Sequence, residues 1–445
     1  MEKQLKKRKR LTSFQIILLG FVGVIMLGAL ILMLPISARN GSFTPFNQAI
    51  FTSASAVCVT GLVVQDTAAY WSGFGQAVIL TLIQIGGLGI ITMAISFVLL
   101  SGKKISFSQR STMQSSISAP SVGGILKLTI FVIKGTAIIE AAGAVAMMPV
   151  FIHDYGLRGV WMAVFHSVSA FCNAGFDIMG QPDRQFASMT SYIAHPYINI
   201  ILMLLIIIGG IGFMTWKDIA AHKFRFKRYR MQSKVVIITS AVLIVMPAIL
   251  FFFSDFAGMP MSERIIGSLF QSITTRTAGF NTADLNALTS IGKAIFIILM
   301  LIGGSPGSTA GGMKTTTVAV LFANTFAIFR RKEDPECFGR RIDGGVVKTA
   351  ATILLLYLTL CFGSAAVISS VEGLPLGVCM FETASAVGTV GLSLGITPSL
   401  GIVSQIILIV LMFLGRVGGL TVVYAVLSGV NKKLSKLPQE DITVG

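Results

Sequence analysis

The sequence predicts an all-α integral membrane protein built from four similar units around one axis, with eight spans and four short re-entrant half-helices. Three features predict it: charge depletion with long apolar runs, basic residues that alternate between dense and sparse segments, and a segment that recurs four times. Of 445 residues, 54% are hydrophobic and only 12% charged. A soluble domain carries about 25% charged residues, so the main solvent of this chain is lipid. Phe14 to Leu34 is an uncharged run long enough to cross a bilayer core. Comparable runs lie near 76–100, 197–216, 235–253, 349–369 and 402–428, and a run interrupted by Lys127, Lys134 and Glu140 lies at 127–152. The first run is longer than a signal-peptide core, and Leu32–Ser37 offers no small-residue cleavage site, so it is expected to be retained.

The net charge of +17 does not point to nucleic acid. Lys and Arg concentrate at 3–10, 103–134, 217–234, 330–348 and 432–436, while the intervening loops hold few, such as Arg39, Arg158, Arg184, Arg264 and Lys293. By the positive-inside rule the dense segments are cytoplasmic, next to anionic lipid, and the sparse ones face outward. Four outward excursions, each crossing twice, give eight spans with both termini inside a plasma membrane. Five scattered cysteines and four separated histidines suggest no metal site, no disulfide framework and no catalytic constellation. The chain is therefore not expected to be an enzyme or to hold a cofactor.

Each excursion contains a related segment: Ser55–Leu62, Ser169–Phe176, Ile273–Phe280 and Ser385–Leu392. Their glycines, Gly61, Gly175, Gly279 and Gly391, are 114, 104 and 112 residues apart. Phe51, Phe165 and Phe381 lie ten residues before their glycine, and the third copy has Leu269 there with Phe270 one later. Glycine pairs follow at Gly86-Gly87, Gly209-Gly210 and Gly303-Gly304; in the fourth copy Gly415 lies at the matching distance and Gly418-Gly419 slightly beyond. The longer second interval implies an insertion around Gln181 to His195. Half-helices are expected at about 44–57, 158–171, 262–274 and 376–386, too short to span. Re-entrant backbone is tolerated at membrane depth only where it is buried in protein or lines a water-filled cavity. Four such segments satisfy this together by ringing a common axis. Small-residue helix packing explains one such loop but not four in register with the topology.

A cation crossing lipid must exchange its hydration shell for other oxygens, and rings of backbone carbonyls supply them. Inward-pointing carbonyls need unusual backbone, which glycine tolerates. The candidate filter comprises Cys58, Val59, Thr60 and Gly61; Cys172, Asn173, Ala174 and Gly175; Arg276, Thr277, Ala278 and Gly279; and Gly388, Thr389, Val390 and Gly391. The permeant ion would be a monovalent cation, held by carbonyls. Arg276 would repel it if it pointed inward, so its guanidinium is expected to turn away and pair with Glu263, Glu382 or backbone carbonyls. Asp66, Asp177, Asp284 and Glu372 lie on the outer side, either gathering cations at the mouth or as solvated loop charge.

The third inner span is broken by Gly303, Gly304, Ser305, Pro306, Gly307, Ser308, Thr309, Ala310, Gly311 and Gly312. Ordinary helix does not continue through such a stretch, and a flexible polar loop beneath the filter is a candidate gate. Gly307 to Thr315 misses the phosphate-binding pattern GxxxxGK[ST] by one inserted residue, Met313, and follows no buried strand, so nucleotide binding is not expected there. Arg416 interrupts an apolar span; it either snorkels to the interface or faces the interior, where it raises a barrier to cations and hydrogen-bonds the loop's carbonyls. Lys314, also placed in this gate, either pairs with backbone or reaches the cytoplasmic end. A coupled carrier usually shows buried carboxylates along its path and inverted repeats; here Glu140 is the main intramembrane acid and all units run the same way.

These segments, with their glycine pairs, resemble the Trk/Ktr/HKT superfamily of potassium transporters over about 14–430, and most of all its Ktr membrane subunits. The resemblance implies four M1–P-loop–M2 repeats around one pseudo-fourfold pore and a homodimer with one pore per protomer. It also implies a cytosolic ring of RCK subunits that bind ATP or ADP. In that family glycine at all four filter positions favours potassium, and serine at the first is associated with sodium-permeable members. The glycine-rich stretch matches the family's intramembrane gating loop, and an arginine matching Arg416 implies a conduction barrier. The expected divisions are a basic N-terminus 1–13, repeats 14–110, 111–234, 235–345 and 346–430, and a tail 431–445.

Overall fold

The computed structural model describes residues 12–90, 92–93, 124–181, 184–223 and 225–419. The basic clusters at 3–10 and 432–436, most of 103–134, and the divisions 1–13 (Thr12 and Ser13 apart) and 431–445 lie outside the described residues.

Almost all regular structure is helical. Four helices are long and apolar enough to cross a bilayer among the described residues: α1 (Ser13–Leu32), α4 (Ile125–Tyr155), α8 (Met231–Phe253) and α12 (Gly344–Glu372). Each is followed by a short helix: α2 (Phe46–Cys58), α5 (Arg158–Phe171), α9 (Met261–Thr274) and α13 (Leu376–Gly388). Proline occupies the N-cap of three short helices, at Pro45, Pro260 and Pro375. Its fixed φ suits a helix entrance, and its missing N–H costs nothing there. Each short helix ends within two residues of the predicted limit.

After each short helix and its loop comes another apolar helix: α3 (Gly73–Leu88), α6 (Pro196–Gly210), α10 (Ser290–Leu301) and α14 (Ile402–Val417). These were expected as continuous spans over 76–100, 197–216 and 402–428, and the structure corrects that. α3, α6 and α14 end at or just before Gly89, Gly212 and Gly418, all in left-handed backbone. Beyond Gly212 the chain turns by 99° into α7 (Phe213–His222). α10 gives way to the glycine-rich loop, which leads to α11 (Thr315–Phe329). A two-residue hairpin, β1 (Glu336–Cys337) with β2 (Arg340–Arg341), precedes α12.

The packing order closes on itself. α3 packs on α5, α6 on α9, α10 on α13, and α14 on α2. Each short helix is thus held between its own long helix and the preceding unit's apolar helix. Its anchor is a phenylalanine with no exposed surface: Phe51, Phe165, Phe270 and Phe381. In the third unit Phe270 takes the role and Leu269 is only half-buried, so that helix carries a one-residue shift.

Candidate functional site

The four glycine loops meet. A Cβ on Gly61 would strike the Ala174 carbonyl; on Gly175, the Ala278 carbonyl; on Gly279, the Val390 carbonyl; on Gly391, the Thr60 carbonyl. The contacts therefore run 61 to 175 to 279 to 391 and back to 61. All four glycines are left-handed, with φ of 91°, 68°, 82° and 94°. Both facts demand glycine: an L side chain is strained at this φ and would also overlap the neighbouring loop's backbone.

A second regularity is invisible in residue identity. Two residues before each glycine, Val59, Asn173, Thr277 and Thr389 are also left-handed, with φ of 58°, 56°, 70° and 52°. For β-branched residues this conformation is costly and marks functional sites. The first residue of each candidate segment behaves differently. The Cys172 thiol is directed to Gln84 Oε1 (3.4 Å) and Glu140 Oε1 (3.8 Å), and Gly388 lies against the Met300 carbonyl. Arg276 is buried and turned away, but to neither expected acid: it donates to the Ser240 hydroxyl (3.1 Å) and carbonyl (3.5 Å) on α8. Glu140, in the middle of α4, accepts from Gln84 Nε2 at 3.1 Å, behind the second loop.

A cavity of about 600 Å³ opens on the glycine ring, lined by all four glycines and by Asp66, Asp177 and Asp284. Asp66 is not solvated loop charge. It is 5% exposed and accepts from the amides of Ala68 (2.9 Å), Ala69 (2.8 Å) and Phe186 (2.6 Å). The last bond ties down the insertion foreseen at 181–195. That segment is also joined to the third loop by Met189 N to Asn281 O (2.8 Å) and Asn281 N to Ser188 Oγ (3.0 Å). Asp284 caps a turn through Asn286 N, and Glu372 accepts from Gly401 N and Ser404.

Below the ring, the glycine-rich loop is firmly bonded rather than loose. Gly303 N donates to Met313 O (2.7 Å), closing its neck. Ser305 N and Thr309 N donate to the carbonyls of Gly210 and Gly209, and Gly312 N to that of Gly415. The Thr309 hydroxyl donates to Phe171 O (3.0 Å) and accepts from Asn173 Nδ2 (3.1 Å), directly under the second loop. Arg416 does not snorkel. Its guanidinium donates to Thr309 O and to the carbonyls of Gly86 (2.5 Å) and Gly87 (2.9 Å). Lys314 Nζ donates to Ala310 O (2.8 Å) and Gly311 O (3.2 Å). Both cations border a second cavity of about 350 Å³.

The family model "TrkH: Cation transport protein" matches residues 2–433. The chain is 40% identical to the potassium/sodium uptake protein NtpJ of Enterococcus hirae, covering 98% of each. It is 35% identical to the Ktr system potassium uptake protein B of Bacillus subtilis, covering 94% of this chain and 93% of that one. The structure superimposes on the potassium transporter TrkH from Vibrio parahaemolyticus with a TM-score of 0.72, over 95% of this chain and 86% of that one at 19% identity, a likeness of fold. A helical membrane fold, a closed set of four glycine loops and a family match over nearly the whole length agree: the chain belongs to the TrkH family of cation transport proteins, which are transporters and not enzymes.

Proposed function

We propose that this chain is the ion-translocating subunit of a Ktr-type potassium uptake system, conducting K⁺ through a carbonyl filter around the axis of its glycine ring. The observation that carries the reading is the closed ring of four left-handed glycines, each against a carbonyl of the next loop. Short-helix carboxyl ends at Cys58, Phe171, Thr274 and Gly388 lead into it, so helix dipoles favour a cation there. The four long helices, each followed by a short helix, a glycine loop and a further apolar helix, support four M1–P-loop–M2 repeats and eight spans; the basic segments of the sequence support the divisions set out above and both termini in the cytoplasm of a plasma-membrane protein. The cavity with Asp66, Asp177 and Asp284 is then the outer mouth, and that with Lys314 and Arg416 the inner one.

The glycine-rich loop is the gate, in its closed arrangement. Arg416 locks it and adds a positive charge to the path. Lys314 ties two of its carbonyls: Lys314→Met removes both bonds and is expected to raise basal ion flux several-fold, measured as tracer uptake in proteoliposomes. Relatives named as Ktr system potassium uptake proteins support a membrane subunit of such a system; the homodimer and the cytosolic RCK ring that carries the ATP or ADP are proposed from the family resemblance set out above. The basic segments Lys223–Lys234 and Arg330–Lys348 are its docking surface, and the β1–β2 hairpin presents Phe338, Arg340 and Arg341 there, all exposed. A partner opens the gate only by binding open and closed states with different affinity.

The test is Rb⁺ uptake into proteoliposomes containing the purified chain, with K⁺ or Na⁺ as competitor and a protonophore control. Uptake suppressed by K⁺, little affected by Na⁺ and insensitive to the protonophore is expected, and it should rise when an RCK ring is added. Folded protein that stays silent with the ring present refutes the reading.

A further inference from the structure

The short helices brace the glycine loops from behind in two layers. In the first, a hydroxyl at the equivalent place reaches each loop. Ser55 Oγ accepts from Gly61 N (3.1 Å) and Ser385 Oγ from Gly391 N (3.0 Å); Ser169 Oγ donates to Phe176 O (2.7 Å) and Thr274 Oγ1 to Phe280 O (2.6 Å). This layer is chemically uniform.

The second layer, one helical turn earlier, is not. There stand Thr52, His166, Gln271 and Glu382. Thr52 bonds back to its own helix, at Gln48 O (2.9 Å), and does not reach its loop. His166 Nε2 accepts from Ile178 N at 3.3 Å, and Gln271 Nε2 donates to Asn281 Oδ1 (3.4 Å) and Thr282 Oγ1 (3.3 Å). Glu382 makes the strongest set. Its carboxyl accepts from the Ser393 hydroxyl and from Thr397 Oγ1 (3.1 Å). It has no exposed surface, and no Lys or Arg forms an ion pair with it among the described residues. Ser393 Oγ also accepts from Gly395 N (2.8 Å), so the acid fixes the whole turn that leaves Gly391, and Ser393 and Thr397 line the mouth cavity.

A buried acid held by hydroxyls and the Leu394 backbone amide, with no cation beside it, is expensive to keep, and here it sits where the ring is least supported. The fourth loop abuts the first, the one loop whose second-layer residue does not hold it. We propose that Glu382 is a positioning residue for ion selectivity: through Ser393 and Thr397 it holds the outer end of the fourth loop, so that Gly391 and its neighbours keep their place in the ring. This rests on the filter reading above.

The test compares wild type with Glu382→Ala, Glu382→Gln, Ser393→Ala and the Glu382→Ala/Ser393→Ala pair, measuring the K⁺-over-Na⁺ preference in competition for Rb⁺ uptake alongside the melting temperature. Each alanine variant is expected to lower the preference about fivefold, the scale of one lost hydrogen bond. Glu382→Gln, which keeps one acceptor oxygen, should fall in between. The double variant should lose no more than Glu382→Ala alone, in which the Ser393 contact is already gone. A merely structural role would lower melting temperature and leave the preference unchanged. If Glu382→Ala does not fold, Glu382→Gln and Ser393→Ala carry the test. Folded variants with wild-type preference, or effects that multiply in the pair, overturn the proposal. A wild-type chain with no preference for K⁺ overturns the filter reading with it.

Discussion

Deleting Ser308–Ala310 is expected to raise basal Rb⁺ flux at least about tenfold. Those residues carry the bonds from Thr309 to Phe171, Asn173 and Gly209, and the carbonyl that Arg416 grips. A hydrogen bond to a charged group is worth about 1.5–3 kcal/mol and a neutral one about 1 kcal/mol. Losing two of the first kind, Arg416 to Thr309 and Lys314 to Ala310, and three of the second shifts the closed-to-open ratio by about 6–9 kcal/mol, beyond ten-thousandfold. Flux rises less than that because it saturates once the open state dominates. The neck bond between Gly303 and Met313 is left intact, so the loop can still close as a shorter turn. Arg416→Gln is the companion variant: it keeps much of the side chain's volume and removes the charge. At about 5 Å and an effective dielectric constant near 20, that charge opposes a monovalent cation by about 3 kcal/mol, so Arg416→Gln should also raise flux several-fold. Folded, monodisperse deletion protein with unchanged or lower flux would remove the loop from the gate.

Replacing Gly61 with serine has the second largest expected effect, on selectivity rather than rate. Gly61 has φ of 91°, and its missing Cβ faces the Ala174 carbonyl and Gly175. Serine must relax the backbone or displace the neighbouring loop, at about 1–3 kcal/mol of strain. Either response moves carbonyls at one junction of the ring. The preference for K⁺ over Na⁺ is expected to fall about tenfold, the equivalent of 1.4 kcal/mol, with Rb⁺ uptake retained. Sodium competition in the same assay reads it. An unchanged preference in folded protein means that Gly61 does not shape the ion site.

Much of this architecture was legible in the sequence, because lipid punishes exceptions. Apolar runs, basic clusters and four glycines in register gave the long helices and, within two residues, the short ones. The break after α10 announced itself through residues that helices reject, and Arg416 through its charge. What stayed hidden depends on conformation or on contacts distant in the chain. Val59, Asn173, Thr277 and Thr389 share left-handed backbone but no residue type, so no pattern betrays them. The ends of α3, α6 and α14 look apolar throughout, and glycine is common enough in membrane helices that Gly89, Gly212 and Gly418 did not read as breaks. For Arg276 the backbone carbonyl among its expected partners is the one used, with a hydroxyl beside it on α8, 36 residues earlier; only the choice over an acid was hidden. In the sequence Glu382 stands out only as a possible partner for that arginine. Its pairing with Ser393 shows once the four short helices are superimposed by their bracing hydroxyls.

One chain supplies all four quarters of the glycine ring. In an assembly of four identical subunits every mutation is made fourfold, and the symmetry of the pathway is inherited intact. Here a mutation alters one quarter and leaves three as controls, so dosage is fractional. The four second-layer residues, a threonine, a histidine, a glutamine and a glutamate, differ from quarter to quarter. A gene of this kind can tune ion preference in small steps, and an experimenter can do the same, one quadrant at a time.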